Sequence, residues 1–436
     1  MSSLLKRLNT SDIAKVLIVG GGSAVVIKAL GTGLQFLLLV LLGRALGAAQ
    51  LGTYVNATAW MDVLVLLGKV GLDMAAFRYV AMYLSQQQFG LLKGFSKFSL
   101  TTSLALSTGL AVLIAAVLFV LNKLQLIQLP LTFLLVLPLL PLLSAIQVQS
   151  AVLRGLGSYV RSLLPYTALR HGFLLFIVFV LLLTKYPMTP QLAAVLTVIA
   201  TAIAFVLTAF WLRQLQDQTV VASPAQYESK EWIRSSLPMM FVGSSVVLLN
   251  QSDILAIGFL LGQEAVGIYA PMSRLALLIV FGYQALNSVV KPKFSSLYTQ
   301  KKMPELQKLV TWTTRVGFAS SLLVGLGFLL FGQRIAGMFG REFIAGYPVL
   351  LVLIIGRIVD AATGPTQDLL VMTGYQVLLA RLLFVSVVCN ILLNILLIPF
   401  MGIVGAAIAN SVTILSWNIV SAVIIRRRLG IKTTLI

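Results

Sequence analysis

Ten ionisable side chains lie inside long apolar stretches of the sequence, where a charge is costly. On insertion scales, a charged side chain at the centre of a membrane-spanning helix costs about 2.5–3.5 kcal/mol, so such residues are candidates for function. Basic residues outnumber acidic ones here, which favours an anionic substrate over a cationic drug. The residues are Lys28, Lys69, Arg170, Arg274, Arg315 and Arg357, with Asp62, Asp253, Asp360 and Asp368.

Three of the basic residues, Lys28, Arg274 and Arg357, are predicted to line a central cavity and bind an anionic group of the substrate. Arginine matches phosphate oxygens with two parallel hydrogen bonds and stays charged when buried. Structural alternatives stay open. Arg357 could form a buried ion pair with Asp360 at i+3, and the other two could extend to the membrane surface. Lys69, near a helix end, is expected to extend in that way.

A second group of side chains is predicted to bind a coupling ion or to form a polar part of the cavity. A carboxylate enclosed in the membrane is suited to exchanging a proton or holding Na⁺. The alternative is hydrogen bonding between helices, which contributes about 1 kcal/mol for each bond. The residues are Asp62, Asn250, Asp253 and Asp360.

Several kinds of chemistry are excluded by what the sequence lacks. Cys389 is the only cysteine and His171 the only histidine, so an internal disulfide, a thiolate metal site and an imidazole cluster are ruled out. No G-x-x-x-x-G-K-[ST] motif is present, which argues against ATP hydrolysis. No outer loop carries the carboxylates that a membrane glycosyltransferase needs for acid–base catalysis. We therefore predict no enzyme activity, no metal and no cofactor.

The elements that position these residues are predicted to be membrane helices. Hydrophobic residues make up 59% of the chain, charged residues 10%, and the mean hydropathy is +1.00. A bilayer core requires about 20 apolar residues per helix. The prediction is an all-α integral membrane protein with about twelve transmembrane helices. The stretches are 18–42, 53–72, 98–120, 130–150, 163–184, 191–212, 236–260, 268–290, 310–331, 347–371, 376–398 and 402–424. Pro138 in the fourth and Gly364–Pro365 in the tenth are expected to interrupt their helices.

The net charge of +20 is predicted to orient the protein in the membrane. Most Lys and Arg residues outside the apolar stretches fall on the side that also holds both termini. By the positive-inside rule, this places both termini in the cytoplasm, in a multi-pass protein of the cytoplasmic (inner) membrane. No nucleic-acid-binding motif accompanies the basic residues, so no nucleic-acid partner is expected.

An internal repeat is predicted to divide the chain into two similar halves. Leu46–Tyr54 and Leu261–Tyr269 share two glycines and a tyrosine at an offset of 215 residues, and Gln35 matches Asn250 at the same offset. Six helices separate the two segments, which predicts a parallel repeat around an axis along the membrane normal. The alternative is that the shared pattern reflects ordinary turn chemistry.

A second pair of similar segments, Gln149–Gly157 and Gln367–Gly374, supports the repeat. The predicted domains are two six-helix bundles, residues 1–217 and 218–436. Two bundles around a central cavity are typical of a transporter that alternates access by rocking.

An ordered set of short motifs resembles the Wzx-type oligosaccharide (polysaccharide-repeat) flippases. Their superfamily also holds multidrug-and-toxin extruders and lipid II flippases. The resemblance covers nearly the whole chain. The motifs are Gly43–Gly47, Leu51–Tyr54, Gly71–Asp73, Arg78–Val80, Val266–Ala270, Lys291–Phe294, Phe339–Phe343, Asn390, Asn394, Leu397–Pro399 and Gly402–Ala409.

This resemblance implies a transporter that flips a polyprenyl-pyrophosphate-linked oligosaccharide for cell-surface polysaccharide synthesis. Its expected partners are the lipid bilayer, the lipid-linked oligosaccharide and H⁺ or Na⁺. The three basic cavity residues would then contact the pyrophosphate. A multidrug or cation antiporter of the same fold is the alternative, with a membrane enzyme of envelope synthesis behind it. The sugar and the oligomeric state are not predicted.

Overall fold

The computed structural model describes residues 10–126, 130–215 and 223–435, and the regular structure in these ranges is helical. The predicted domain boundary between residues 217 and 218 lies outside them. The helices are α1 Thr10–Lys69, α2 Leu72–Ser85, α3 Phe89–Lys123, α4 Leu131–Val136, α5 Leu139–Gly155, α6 Tyr159–Leu164, α7 Arg170–Leu183, α8 Pro190–Leu215, α9 Ser229–Leu260, α10 Gln263–Ile279, α11 Phe281–Thr299, α12 Met303–Gly337, α13 Tyr347–Ala362, α14 Thr366–Met372 and α15 Gln376–Leu429.

In the described part of the chain, nine helices are long and apolar enough to cross a membrane. The number is ten if α10 and α11, which bend by 46° at their junction, count as one span. Both α1 and α15 are counted once although each covers two predicted apolar stretches. Each contains one glycine with a non-helical backbone, Gly47 in α1 and Gly402 in α15.

The chain folds back at Gly402. Residues eight apart in a continuous helix are separated by about 12 Å along its axis. A Cβ atom on Gly405 would nevertheless lie only 2.5 Å from the carbonyl oxygen of Leu397. The residues on either side of Gly402 are therefore packed against each other, and the two arms of α15 are separate helices.

Two predicted helix breaks are confirmed. Pro138 separates α4 from α5, and Gly364–Pro365 separates α13 from α14. Proline lacks an N–H group and its ring clashes with the preceding turn, so an α-helix does not run through it without a kink. Gly364 has a φ of 78°, a conformation that glycine adopts without strain.

The two repeated segments have the same backbone conformation. Gly47 has φ 72° and ψ 175°, and Gly262, 215 residues later, has φ 89° and ψ −176°. They also pack against each other reciprocally. A Cβ atom on Gly52 would overlap the backbone at Gln263, and one on Gly267 would overlap the backbone at Ala48. Since Gln263 and Gly267 are the repeat equivalents of Ala48 and Gly52, this contact is nearly two-fold symmetric. We call it the glycine seam.

Two more contacts hold the seam together. The backbone N–H of Ala48 donates to Glu342 Oε1 (2.7 Å), which satisfies a free N–H group where the helix resumes after Gly47. The Asn56 amide donates to the Gln263 side chain (3.0 Å). The seam thereby joins segments from both parts of the chain.

The outer surface of the helices is apolar. Phe259 and Phe400 are 90% and 83% exposed, and many leucines and valines of α3, α12 and α15 are exposed as well. An exposed apolar surface of this extent does not occur on a monomer in water. It is the surface that a bilayer requires, so the chain is a multi-pass integral membrane protein.

Candidate functional site

Two neighbouring cavities lie among the helices, and most of the predicted polar residues line one or the other. The first cavity has a volume of about 110 Å³. Its polar lining comes from both parts of the chain: Gln35, Tyr54, Thr58, Asp62, Arg170, His171, Thr197 and Arg274. The second has a volume of about 10 Å³ and is lined by Asn250, Asp253, Tyr269, Ser273, Arg274, Leu277, Leu353, Arg357 and Asn410.

The internal repeat relates the two cavities. Five residues of the first have their equivalent, 215 residues later, in the second. The pairs are Gln35 and Asn250, Leu38 and Asp253, Tyr54 and Tyr269, Thr58 and Ser273, and Asp62 and Leu277. Polar character is kept in three of the pairs, while an acid and a leucine exchange places in the other two. The predicted correspondence of Gln35 with Asn250 therefore extends to the spaces that they line.

Arg274 lines both cavities. It lies on α10, two turns after the seam, and its guanidinium interacts electrostatically with Asp62 from the other half of the repeat. In the part of the chain that the structure describes, Arg274 belongs to no ion pair. Its charge therefore remains available to a ligand in either cavity.

Arg170 is positioned by a break in helical geometry. Residues Pro165–Leu169 form one turn of π-helix between α6 and α7, and π-helical turns occur frequently at functional sites. The Arg170 guanidinium lies over the Tyr166 ring, 5.0 Å from its centroid, and its Nε atom is buried without a hydrogen-bond partner among the described residues. The His171 ring lies beside it, with Nδ1 2.7 Å from the Thr167 carbonyl oxygen. This confirms the expectation of a packed, hydrogen-bonded histidine.

Asp253 is enclosed by hydrogen-bond donors. Asn394 donates to its Oδ1 atom (2.8 Å), and Tyr269 (2.9 Å) and Asn410 (2.6 Å) donate to Oδ2. The carboxylate is 3% exposed and has no cation within ion-pair distance in the described ranges. A buried acid surrounded by neutral oxygen and amide groups is one that a proton or a small cation can neutralise.

Asp62 is linked to the Asp253 cluster through α9. The Gln251 amide donates to Asp62 Oδ2 (2.7 Å), while Gln251 Oε1 is buried without a partner. The adjacent Ser252 donates to Asn390, which also accepts a hydrogen bond from Asn394. Three consecutive residues of α9 thus connect the acid of the first cavity with that of the second.

Arg357 and Asp360 do not form the ion pair that was left open as an alternative. Arg357 lines the second cavity, and its Nε atom is buried without a partner among the described side chains. Asp360 accepts a hydrogen bond from Asn418 (2.6 Å), which also binds Thr366 across the Gly364–Pro365 break. Asp360 therefore lines neither cavity and is held at this break.

Lys28 lines neither cavity either. Its side chain is exposed, and its charge interacts with those of Lys291 and Arg154. Asn250 lines the second cavity from an exposed position. The structure thus brings together five of the seven predicted site residues: Asp62, Asn250, Asp253, Arg274 and Arg357.

The expectation that Lys69 extends to the membrane surface was wrong. Its ammonium group forms an ion pair with Asp73 (2.7 Å) and donates to Gln147 (2.8 Å). Asp73 lies at i+4, the spacing at which opposite charges meet on a helix face, although a short break at Val70–Gly71 intervenes. The second ion pair of the described chain joins Lys291 and Asp368 (2.7 Å).

The comparison with known families agrees with this architecture. Residues 17–298, well over half of the chain, match the sequence profile of a family described as "Polysaccharide biosynthesis protein". The chain belongs to the polysaccharide biosynthesis protein family.

Two curated relatives of this family member come from Haloferax volcanii. It is 29% identical over 173 residues to the probable low-salt glycan biosynthesis flippase Agl15, and 28% identical over 182 residues to the probable flippase AglR. The first alignment covers 37% of this chain and 34% of the relative, and the second covers 40% and 37%. The chain therefore spans only about a third of the length of these relatives.

Solved structures share the fold over nearly the whole length. The inward-facing structure of a multidrug resistance MATE family transporter of the MOP superfamily superposes with a TM-score of 0.77 at 15% identity, covering 94% of this chain and 98% of the other. A MOP superfamily transporter from Pyrococcus furiosus gives 0.65 at 16% identity, with 94% and 95% covered. At these identities the likeness shows the fold. The predictions of a transporter fold and of a protein that is not an enzyme are confirmed.

Proposed function

We propose that this protein flips a polyprenyl-pyrophosphate-linked oligosaccharide from the inner to the outer leaflet of the cytoplasmic membrane, for synthesis of a cell-surface polysaccharide. The observation that carries the proposal is the arginine-lined pair of cavities at the junction of the two repeats, in a member of the polysaccharide biosynthesis family. Two relatives described as probable flippases support the transported class.

The transport mechanism that we propose is rocking of two six-helix bundles. Residues 1–217 and 218–436 would each contribute six spans, because Gly47 and Gly402 divide α1 and α15 and the bent α10–α11 pair counts once. Both termini would face the cytoplasm. The glycine seam then lies at the extracytoplasmic end, where its separation would open the cavities outwards.

The pyrophosphate would be bound by cationic side chains. A phosphate group entering a low-dielectric cavity loses hydration, and unless opposite charges replace it the cost is several kcal/mol. Arg274 is the central residue of this proposal because it lines both cavities. Arg357 would act from the second cavity, and Lys28, exposed near Lys291 and Arg154, would attract the headgroup before it enters.

Movement would be coupled to H⁺ or Na⁺ through the buried acids. Asp253 is the first candidate because its carboxylate is buried and no cation pairs with it within the described residues. Asp62, linked to it through α9, is the second. Asp360, which lies at the Gly364–Pro365 break, would transmit a change of charge to that break.

The proposal can be tested in cells whose own flippase gene has been deleted, by measuring surface polysaccharide at equal protein level. Wild-type protein should restore polysaccharide and Arg274→Ala should not. Arg315→Ala, which removes an exposed arginine from α12, is the matched control and should behave as wild type. Activity of Arg274→Ala equal to wild type would contradict the cationic-cavity mechanism.

The alternative is a multidrug or cation antiporter, which several solved structures of this fold are titled to be. The two cavities hold Arg170, Arg274 and Arg357 against Asp62 and Asp253, an excess of positive charge that disfavours cationic drugs. Resistance to cationic dyes, conferred by wild-type protein in place of polysaccharide synthesis, would favour the antiporter.

A further inference from the structure

The two cavities differ in size although the repeat relates them. In the second, Asp253 and its three hydrogen-bond donors fill the space, and about 10 Å³ remains. In the first, Leu38 occupies the position equivalent to Asp253, no such network forms, and about 110 Å³ stays open. The duplication has thus produced one closed polar site and one open polar site.

This difference decides which cavity can hold a phosphate. A space of about 10–15 Å³ on this measure holds one water molecule. The second cavity therefore has room for about one water or one small ion, whereas a phosphate group with its four oxygens needs several times that. Of the two cavities, the first is the one with enough room.

Arg170 supplies the first cavity with a second guanidinium. Its Nε atom is buried and unpartnered among the described residues, and the Tyr166 ring lies against its face. Stacking on one face leaves the planar edge of a guanidinium free to donate hydrogen bonds. Arg274 reaches the same space from the other half of the repeat, so two guanidiniums from different halves line one cavity.

We infer that Arg170 and Arg274 form the diphosphate-binding subsite of the proposed flippase, in the first cavity, and that the second cavity does not hold phosphate. The inference rests on the proposed function and deepens it by assigning the headgroup to one cavity and to a residue of α7. Because the two arginines belong to different halves, a bound diphosphate would connect the two halves.

Asp62 lines the same cavity and opposes the anion. Its charge interacts with Arg274, Arg170 and Lys69, and Gln251 holds it in place. A diphosphate would therefore bind better once Asp62 has been neutralised by a proton or a cation. The subsite and the coupling acid would in this way compete within one space.

Binding can be measured on purified full-length protein in detergent, with farnesyl pyrophosphate as the probe. Farnesol serves as the uncharged control and inorganic pyrophosphate as the lipid-free one. Wild type should bind farnesyl pyrophosphate most tightly. Arg170→Gln should weaken that binding by about tenfold or more, since a hydrogen bond to a charged group contributes that factor, and Arg170→Lys should restore part of it. Asp62→Asn should strengthen it, and Arg357→Gln should change it less than Arg170→Gln does.

Farnesyl pyrophosphate binding that Arg170→Gln leaves unchanged, or that Arg357→Gln weakens more, would overturn the inference. Equal binding of farnesol and farnesyl pyrophosphate by wild type would overturn it as well, and equal binding of inorganic pyrophosphate would overturn the lipid-linked source. Arg170→Lys guards against misfolding, because it keeps the charge at the same place. Failure of the flippase assignment would be seen separately, as surface polysaccharide that wild-type protein does not restore.

Discussion

At the scale of the residue, the buried acids differ in what holds them. Asp253 accepts hydrogen bonds from Tyr269, Asn394 and Asn410, whereas Asp62 has Gln251 as its hydrogen-bond donor. Neither is in an ion pair within the described parts of the chain. Their different surroundings predict different consequences of removing the charge.

Asp253→Asn is expected to abolish ion-driven transport while the protein still folds. The amide keeps one accepting oxygen, and the Tyr269 hydroxyl and the Asn394 amide can each turn to meet the new N–H groups, so the loss of stability should be about 1 kcal/mol. Transport driven by an imposed Na⁺ or H⁺ gradient is measured in proteoliposomes, with thermal unfolding as the control. Gradient-driven transport at the wild-type rate in this variant would exclude Asp253 as the coupling acid.

The sequence revealed the depth of these acids but not their partners. Asp253 and Asn250 stood out as polar positions in an apolar stretch. Asn394 and Asn410 lie more than 140 residues further along the chain, and no spacing in the sequence indicates that they reach the same carboxylate. Arg170 was noticed but not assigned to the site, since the π-helical turn that directs it has no clear signature beyond Pro165. The repeat could have found Tyr269, the equivalent of Tyr54.

At the scale of the element, hydropathy located the helices but not their ends. The stretch predicted at 98–120 is part of α3, Phe89–Lys123, and the stretch at 310–331 is part of α12, Met303–Gly337. Both helices continue beyond the bilayer core into polar turns, which a pattern of apolar residues does not detect. The breaks at Pro138 and Gly364–Pro365 were predictable because proline acts locally.

The glycine seam should not tolerate a side chain. Gly52→Ala places a Cβ atom into the backbone at Gln263, and overpacking of this kind costs about 1–3 kcal/mol. We expect a lower midpoint of thermal unfolding and reduced transport.

Gly327→Ala in α12 is the matched control for the seam. No atom lies within 4 Å of the position of its Cβ, and alanine favours helix by about 1 kcal/mol over glycine. Its unfolding temperature should stay the same or rise. Equal stability and transport for Gly52→Ala and Gly327→Ala would show that the seam is not packed as described.

At the scale of the whole molecule, the repeat organises the protein. It relates the seam segments, the two cavities and the turns that precede α3 and α12, where Gln87 and Lys301 share a φ of 57°. The fold class could be predicted because composition, charge distribution and repeat agree. The difference in volume between the cavities could not, because it depends on how Asp253 is hydrogen-bonded in three dimensions.

The proposed orientation predicts which loops are accessible from outside the cell. In a Cys389→Ser background, single cysteines at the exposed positions Thr189, Gln86 and Gln300 are tested with an impermeant thiol reagent. Only Thr189→Cys should react on intact cells, while all three should react after the membrane is permeabilised. Reaction of Gln86→Cys or Gln300→Cys on intact cells would contradict the orientation.

The central claim is that the protein moves a lipid-linked oligosaccharide by its pyrophosphate. The most direct test is purified protein in liposomes containing a polyprenyl-pyrophosphate-linked oligosaccharide, with the fraction of sugar that reaches an impermeant sugar-binding protein followed over time. Wild-type protein should expose the inner-leaflet pool, and Arg274→Gln and Arg170→Gln should slow its exposure by about tenfold or more, the factor expected for a lost hydrogen bond to a charged group. Exposure no faster with wild-type protein than in protein-free liposomes would contradict the account.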